Sequence, residues 1–343
     1  MKRIFAFFVV LSMLLMTACK KEVGQTTTAG ENKAEEKQNV NFLTGLETDA
    51  VAYSRPVAVT VNNLEASLPQ YGIGQADIIM EFPVEGGITR LMTLYGDYKN
   101  VPEVCSVRSC RYYFPIFAKG FDAVYFCYGS NEALATPTLE RLGTDYIDGN
   151  KAGDSLVFDR DEERLEIYSA EHTVYLKGEN MKEIFEKYGF SPERKEDYGE
   201  TAFDFSDKRE SFLFECTGIT GSFSSSYSSA FEFDGERGAY LKSHNGERHI
   251  DSRSEEQLSF TNVLFFQTEV SRYGDTSLAV IDWHGGKGYY ATMGTVEEIF
   301  WEKEKEDSPI RLTDSSGNPL KLNRGKSYIG VGAEEVIMSK SDI

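Results

Sequence analysis

Apolar and polar positions along this chain predict short strands in most places and helices in a few. Arg55-Pro-Val-Ala-Val-Thr-Val61 is a β-branched run behind a proline and reads as a strand, which Asn62 and Asn63 end with Asx-type turn chemistry. Residues 76–82 and 88–95 are strand-like on either side of Glu85-Gly-Gly87, so a hairpin is expected in which Gly86 and Gly87 supply the turn. With the register centred near Glu85, Glu81 falls opposite or diagonal to Arg90 and a cross-strand ion pair follows. Ser109 is placed to cap a helix over roughly 110–119, with Pro115 as a kink or early stop. Residues 122–128 form the next strand and Gly129-Ser-Asn131 a turn, from which Ser130 caps a second helix ending at Gly143. A third, amphipathic helix runs from Asn180 to Tyr188, with Met181, Ile184, Phe185 and Tyr188 on one face and Gly189 as its terminator.

From Gly218 the rhythm changes. Residues 221–229 are polar and helix-poor, and short alternating segments follow, punctuated by Asp234-Gly235, Asn245-Gly246, Gly285-Gly286 and Ser316-Gly317. The clearest strands are 262–270 and 277–283, and Trp283 is placed in a core. At 343 residues the chain is long enough for two cores. The expected fold is α+β: an N-terminal layered sheet-and-helix α/β domain over residues 46–215 and a smaller, mainly-β C-terminal domain over residues 216–343.

The first residues have a different logic. Lys2 and Arg3 precede an apolar run from Ile4 to Met16, and Leu15-Met-Thr-Ala-Cys19 closes it with small residues before a cysteine. A positive start, a short apolar stretch and a small-residue exit make a secretory signal peptide over residues 1–18. The cysteine after Thr17-Ala18 resembles a lipobox, which makes Cys19 the expected lipidation site. Residues 19–45 are then a flexible tether with a reach on the order of 30 Å. Net charge is −19, and loss of Lys2 and Arg3 with the leader makes it −21. Nucleic acid is excluded as a partner, because its binding rests on Lys and Arg neutralising phosphates.

Two acids, Glu81 and Glu85, and three arginines, Arg90, Arg108 and Arg111, sit within otherwise apolar segments. Such charges are rarely buried unless paired. Glu81 and Glu85 are candidate general acids for glycan cleavage, where two carboxyls flank the scissile bond; the competing reading is a salt bridge that braces the hairpin. Arg108 and Arg111, beside Ser109 and a helix start, are candidates to grip a carboxylate or phosphate, as guanidinium forks do. Asn62 and Asn63 either contact a ligand or end their strand. His249 and Asp251 share a face if extended, and are read as a ligand contact or an inter-domain hydrogen bond. Cys105, Cys110, Cys127 and Cys216 lack metal spacing and are left open between disulfides and buried thiols. No phosphate loop, nucleophile elbow or zinc-protease helix is present, so no metal or cofactor is expected.

Taken in order, Arg55-Pro56, Asn62-Asn63, Gly74-Gln-Ala-Asp77, Glu81…Glu85-Gly-Gly-Ile-Thr-Arg90, Val107-Arg-Ser-Cys-Arg111, Gly129-Ser130, Asn245-Gly246…His249-Ile-Asp251 and Asn262-Val263 resemble the YerB-like family of bacterial lipoproteins. The resemblance runs from about residue 42 to 335. It implies a lipid-anchored protein of Gram-positive-type cells, on the outer face of the cytoplasmic membrane, with no assigned activity. The chain departs from the pattern in two places: Cys127 stands where a histidine is common, and Val104-Cys-Ser106 replaces a glycine-proline. The expected function is binding of a polar or anionic envelope component, such as a wall glycan or peptide, through Arg90, Arg108 and Arg111. The alternatives are a glycan-cleaving enzyme or an assembly factor docked on an envelope protein.

Overall fold

The computed structural model describes residues 39–51 and 53–340, which belong to one compact unit spanning Gln38–Ile343. The expected signal peptide, Cys19 and most of the tether lie outside the described residues. Residues 39–45, expected in the tether, are packed instead. Phe42 and Leu43 are buried, Asn41 accepts from the Leu43 amide at 2.8 Å, and Thr44 accepts from the Gly325 amide at 2.9 Å. Two adjacent apolar side chains are reason enough for the chain to dock there.

The centre of the fold is an eleven-stranded mixed sheet. Its strands run in the order Arg311–Asp314, Thr295–Glu302, Gly285–Thr292, Asn262–Phe266, Ser327–Val331, Ile78–Pro83, Thr89–Tyr95, Val57–Asn62, Val124–Cys127 and Tyr146–Asp148. Phe214–Glu215 adds to Thr295–Glu302. The sheet crosses the expected domain boundary near residue 215, because Ser327–Val331 pairs in parallel with both Asn262–Phe266 and Ile78–Pro83. Beyond Tyr198 every regular element is a strand, as expected of the C-terminal part.

Both faces of this sheet are covered, which is why its central strands read as nearly unbroken apolar runs. One face carries Val59, Ile79, Leu91, Phe265 and Tyr328 and meets a second, six-stranded sheet. Phe231 of that sheet lies 4.5 Å from Tyr328 and 6.1 Å from Phe265, ring centre to ring centre. The other face carries Met80, Phe82, Met92, Leu264 and Ile329 and meets the helix Tyr113–Gly120. The result is three layers: helix, mixed sheet, second sheet.

Local chemistry explains the element ends. The first helix starts at Tyr113, later than expected, because the Ser109 hydroxyl donates to the Tyr128 carbonyl at 3.1 Å rather than capping it. Pro115 lies in the first turn, where its missing N–H is harmless. The second helix, Ala135–Arg141, is introduced by Asn131, whose Oδ1 accepts from the amides of Leu134 and Ala135, while Ser130 bonds Asp148. The third, Met181–Tyr188, closes on Gly189 in the left-handed region, as its sequence predicts. Gly285-Gly286, expected as a turn, begins a strand. A Cβ on Gly286 would lie 2.2 Å from the Gln267 carbonyl oxygen, so glycine there serves close approach. Trp283 is only half-buried; the core indole is Trp301, stacked 4.9 Å from Phe266. Cys105, Cys110, Cys127 and Cys216 are buried free thiols.

Phe82 lies within 5.0–5.5 Å of the rings of Tyr113, Phe114 and Phe117, fully buried between sheet and helix. Replacing it with alanine is expected to cost about 3–5 kcal/mol, read as a lower urea midpoint, since three rings border the cavity.

Candidate functional site

The hairpin at Glu85–Gly87 forms, with Gly86 and Gly87 in the left-handed conformation its turn requires. Its register differs from expectation. Glu81 pairs with Leu91 and Phe82 with Arg90, so the hairpin centres on Gly86. Side chains alternate along a strand, so a slip of one residue moves them to opposite faces. Glu81 therefore points toward the second sheet and Arg90 toward the helix layer, and the expected Glu81–Arg90 pair does not form.

Glu81 enters a buried network instead. Its Oε1 accepts from the Thr89 hydroxyl at 2.7 Å and the Asn63 amide at 3.1 Å; its Oε2 accepts from Ser229 at 2.7 Å and Tyr328 at 2.8 Å. Lys242, on the second-sheet strand Ala239–His244, lies 3.5 Å from Oε2, and both charged side chains are fully buried. Lys242 also donates to Ser229 at 2.8 Å and meets His249 Nδ1 at 3.1 Å. That leaves His249 Nε2 to carry the proton and donate to Gln70 Oε1 at 2.9 Å. Asp251 continues the seam by accepting from the Gly74 amide at 2.8 Å. His249 and Asp251 thus make hydrogen bonds between the two segments, one of the two readings the sequence allowed.

The electrostatics follow from burial. Desolvation alone would raise the Glu81 carboxyl, but the Lys242 charge and the bonds from Thr89 and Ser229 outweigh it and hold it below the usual range. Desolvation lowers Lys242, with Glu81 opposing. Burial and the Lys242 charge push His244 down to about 4 and His249 well below its ordinary value, so both imidazoles are neutral at neutral pH. Among the described residues, His244 Nε2 is buried without a hydrogen-bond partner.

A second cluster lies at the other side of the hairpin. Glu85 is clamped by Arg111 in a bidentate pair, with Nε at 2.7 and 2.8 Å and Nη2 at 2.6 Å from its oxygens. Burial would raise Glu85, but this clamp leaves it below the usual range. Arg108 pairs with the exposed Glu171 at 3.1 Å. Arg90 is different: its Nη1 donates to the Ser109 carbonyl at 2.5 Å, its Nε is buried without an acceptor, and no carboxylate among the described residues lies within ion-pair distance. Burial, then the like charges of Arg111 and Arg108, lower it to about 10. Arg108 Nε is likewise buried and without an acceptor. Asn62 pairs with Arg90 across the strands, but its side chain is spent elsewhere: Nδ2 meets His172 Nδ1 at 2.9 Å and Oδ1 accepts from the Leu64 amide.

Two expectations need correction. Glu81 is sealed from solvent and Glu85 is clamped, and both are held below the usual carboxyl range, where a general acid needs access and a raised pKa. Neither environment is that of a general acid. Nor does Glu81 brace the hairpin through Arg90; its ion pair is with Lys242 of the second sheet. Sequence reasoning missed Ser229, Lys242, His244, Tyr328 and His172. One signal was present: in Ala239–His244 the residues Tyr240, Lys242 and His244 alternate inward, so a lysine and a histidine occupy core-facing positions.

Comparison with known proteins is consistent along the chain. Residues 43–191 match the N-terminal domain, and residues 219–329 the C-terminal domain, of a protein family of unknown function, DUF3048. "Putative lipoprotein YerB" of Bacillus subtilis (strain 168) is 28% identical over 337 residues, covering 95% of this chain and 92% of that protein. The crystal structure of the YerB protein from Bacillus subtilis superposes with a TM-score of 0.77 at 25% identity, covering 88% of this chain and 99% of the other.

Two outcomes follow for the buried network. His244 and His249 have folded pKa values below the unfolded value of about 6.5, and Glu81 lies below its ordinary value. The unfolded chain therefore binds more protons, and stability is expected to fall as pH drops from about 7 to 4. His244 alone accounts for up to about 3 kcal/mol of that loss, and His244→Gln should flatten the slope of urea midpoint against pH. Glu81→Gln, which leaves Lys242 buried and unpaired, is expected to cost about 3–5 kcal/mol, and adding Lys242→Met should restore part of it.

Proposed function

The chain belongs to the YerB-like family, and from that premise we propose that it is a membrane-tethered, extracytoplasmic lipoprotein that binds an anionic group of the cell envelope at Arg90, Arg108 and Arg111. The leader and Cys19 supply the anchor in this reading, through a lipid on the cysteine thiol. The tether then lets the folded unit sample the wall side of the membrane. A wall glycan or peptide bearing carboxylate or phosphate suits the site.

One observation carries the reading: the unpaired, buried guanidinium of Arg90. A buried charge without a partner is costly, and an arginine left with a free Nε beside two further arginines is a place where an anion lowers the free energy. Glu85 and Glu171 balance two of the three positive charges, which leaves one. Ser109 lends its carbonyl to fix Arg90, and Arg111 is fixed by Glu85, so the donors are positioned before a ligand arrives.

The test is co-sedimentation of the 38–343 unit with purified peptidoglycan sacculi, before and after their covalently attached phosphate polymers are removed. Arg108→Ala is expected to weaken binding by about tenfold, the worth of one charge-assisted bond, with a melting temperature near wild type because Arg108 is partly exposed. Arg90→Gln should weaken it at least as much. Unchanged binding in both variants sinks the proposal. A collapse of stability in both assigns the arginines to the fold alone.

A further inference from the structure

A pocket of about 300 Å³ opens where the beginning of the folded chain meets its last quarter. Lys208, Arg209, Arg237 and Arg324 line it, with Asp207 and Leu46. Four cations around one concavity stand out in a chain of net charge −19. Asp207 lies 2.8 Å from Arg324 and Asp234 lies 3.4 Å from Arg237, which balances two of them. Lys208 and Arg209 are exposed and have no carboxylate at ion-pair distance among the described residues. The polar floor is already satisfied internally: Asn323 Nδ2 donates to the Glu210 carbonyl and to the Thr292 hydroxyl, each at 2.9 Å. What remains to meet a ligand is cationic. Scattered surface charges are ordinarily solvated and worth little; here they converge on a hollow at the lower end of ligand-pocket size, where an oxyanion can bond several of them together.

The position of the pocket adds a second argument. Leu46 lines it, the Arg324 guanidinium donates to the Gly45 carbonyl, and the Gly325 amide donates to the Thr44 carbonyl at 2.9 Å. It therefore borders the point where the N-terminal tether joins the fold. Nineteen residues lie between Cys19 and Asn39, so a lipid on Cys19 would hold this end of the folded unit toward the headgroups. That last step rests on the lipid-anchor reading above; the pocket and its charges do not.

We propose that the pocket lined by Lys208, Arg209, Arg237 and Arg324 is a second anion site, for a phosphate group presented by an anionic lipid headgroup or by a soluble phosphate compound. The experiment uses the 38–343 unit, which has no lipid of its own, with two probes. Vesicles of equal parts phosphatidylglycerol and phosphatidylcholine are compared with phosphatidylcholine alone by sedimentation, and inorganic pyrophosphate is titrated in the absence of lipid. Binding to the mixed vesicles, reduced at least about tenfold by Lys208→Glu with Arg209→Glu and weakened by salt, supports the lipid source. Pyrophosphate binding lost in the same variant, without vesicle binding, supports the soluble source. Binding of neither probe, or binding that the double reversal leaves unchanged, overturns the proposal. Lys208→Ser with Arg209→Ser serves as a second variant should charge reversal disturb the fold. The Lys208 and Arg209 double reversal is expected to co-sediment with sacculi as wild type does, which separates failure here from failure of the arginine cluster near the hairpin.

Discussion

A carboxylate and an ammonium, both sealed from water, connect the two sheets of this molecule. Glu81 belongs to the mixed sheet and Lys242 to the second sheet, and neither tolerates burial alone. The apolar contacts between the sheets, Phe231 against Phe265 and Tyr328, supply area but little direction. Direction comes from the polar network. Asn63, Thr89, Ser229 and Tyr328 fill the acceptor positions of one carboxylate, and Gln70, His249 and Asp251 extend the seam to the loops. A shift of the second sheet would leave buried members of this network without partners. The network thus ties the family's two segments into one body.

Once Glu81 is committed to the seam, the charge balance beside the hairpin changes. Glu85 holds Arg111 and Glu171 holds Arg108, while Arg90 is left with a backbone carbonyl. The unpaired positive charge there is a consequence of the fold, since Glu85 is taken by Arg111 and Glu81 faces the other way. The rest of the molecule is strongly acidic, so local groups of cations are where anionic partners can approach without crossing a repulsive surface. Two such groups exist among the described residues, one by the hairpin and one beside Gly45 and Leu46.

Much of the fold could be read from residues alone, for identifiable reasons. The strand Val57–Asn62, the glycine turn at Gly86 and Gly87, the helix closed by Gly189 and the all-strand character of the C-terminal part all rest on local signals: β-branching, positive-φ glycines, and period 3.6 or 2. Helix starts were harder. Ser109 and Ser130 both look like caps, and both spend their hydroxyls elsewhere, on Tyr128 and Asp148, which are distant in sequence. The join of the two segments through Ser327–Val331 and Ile78–Pro83 is a pairing across about 250 residues, which no local pattern announces.

The sequence by itself determined the strand-rich α+β class, the acidic composition and the residues worth watching, because each is a property of composition or short-range periodicity. Tertiary structure decided what those residues do. Pairing of Glu81 with Leu91 rather than with Arg90 put Glu81 and Arg90 on opposite faces, and the inward lysine of Ala239–His244 then supplied the partner that Arg90 could not be. A one-residue slip in pairing is invisible to alternation along a strand, yet it exchanges the two faces. That exchange made a candidate acid the anchor between the sheets and left Arg90 with a backbone carbonyl in place of a carboxylate.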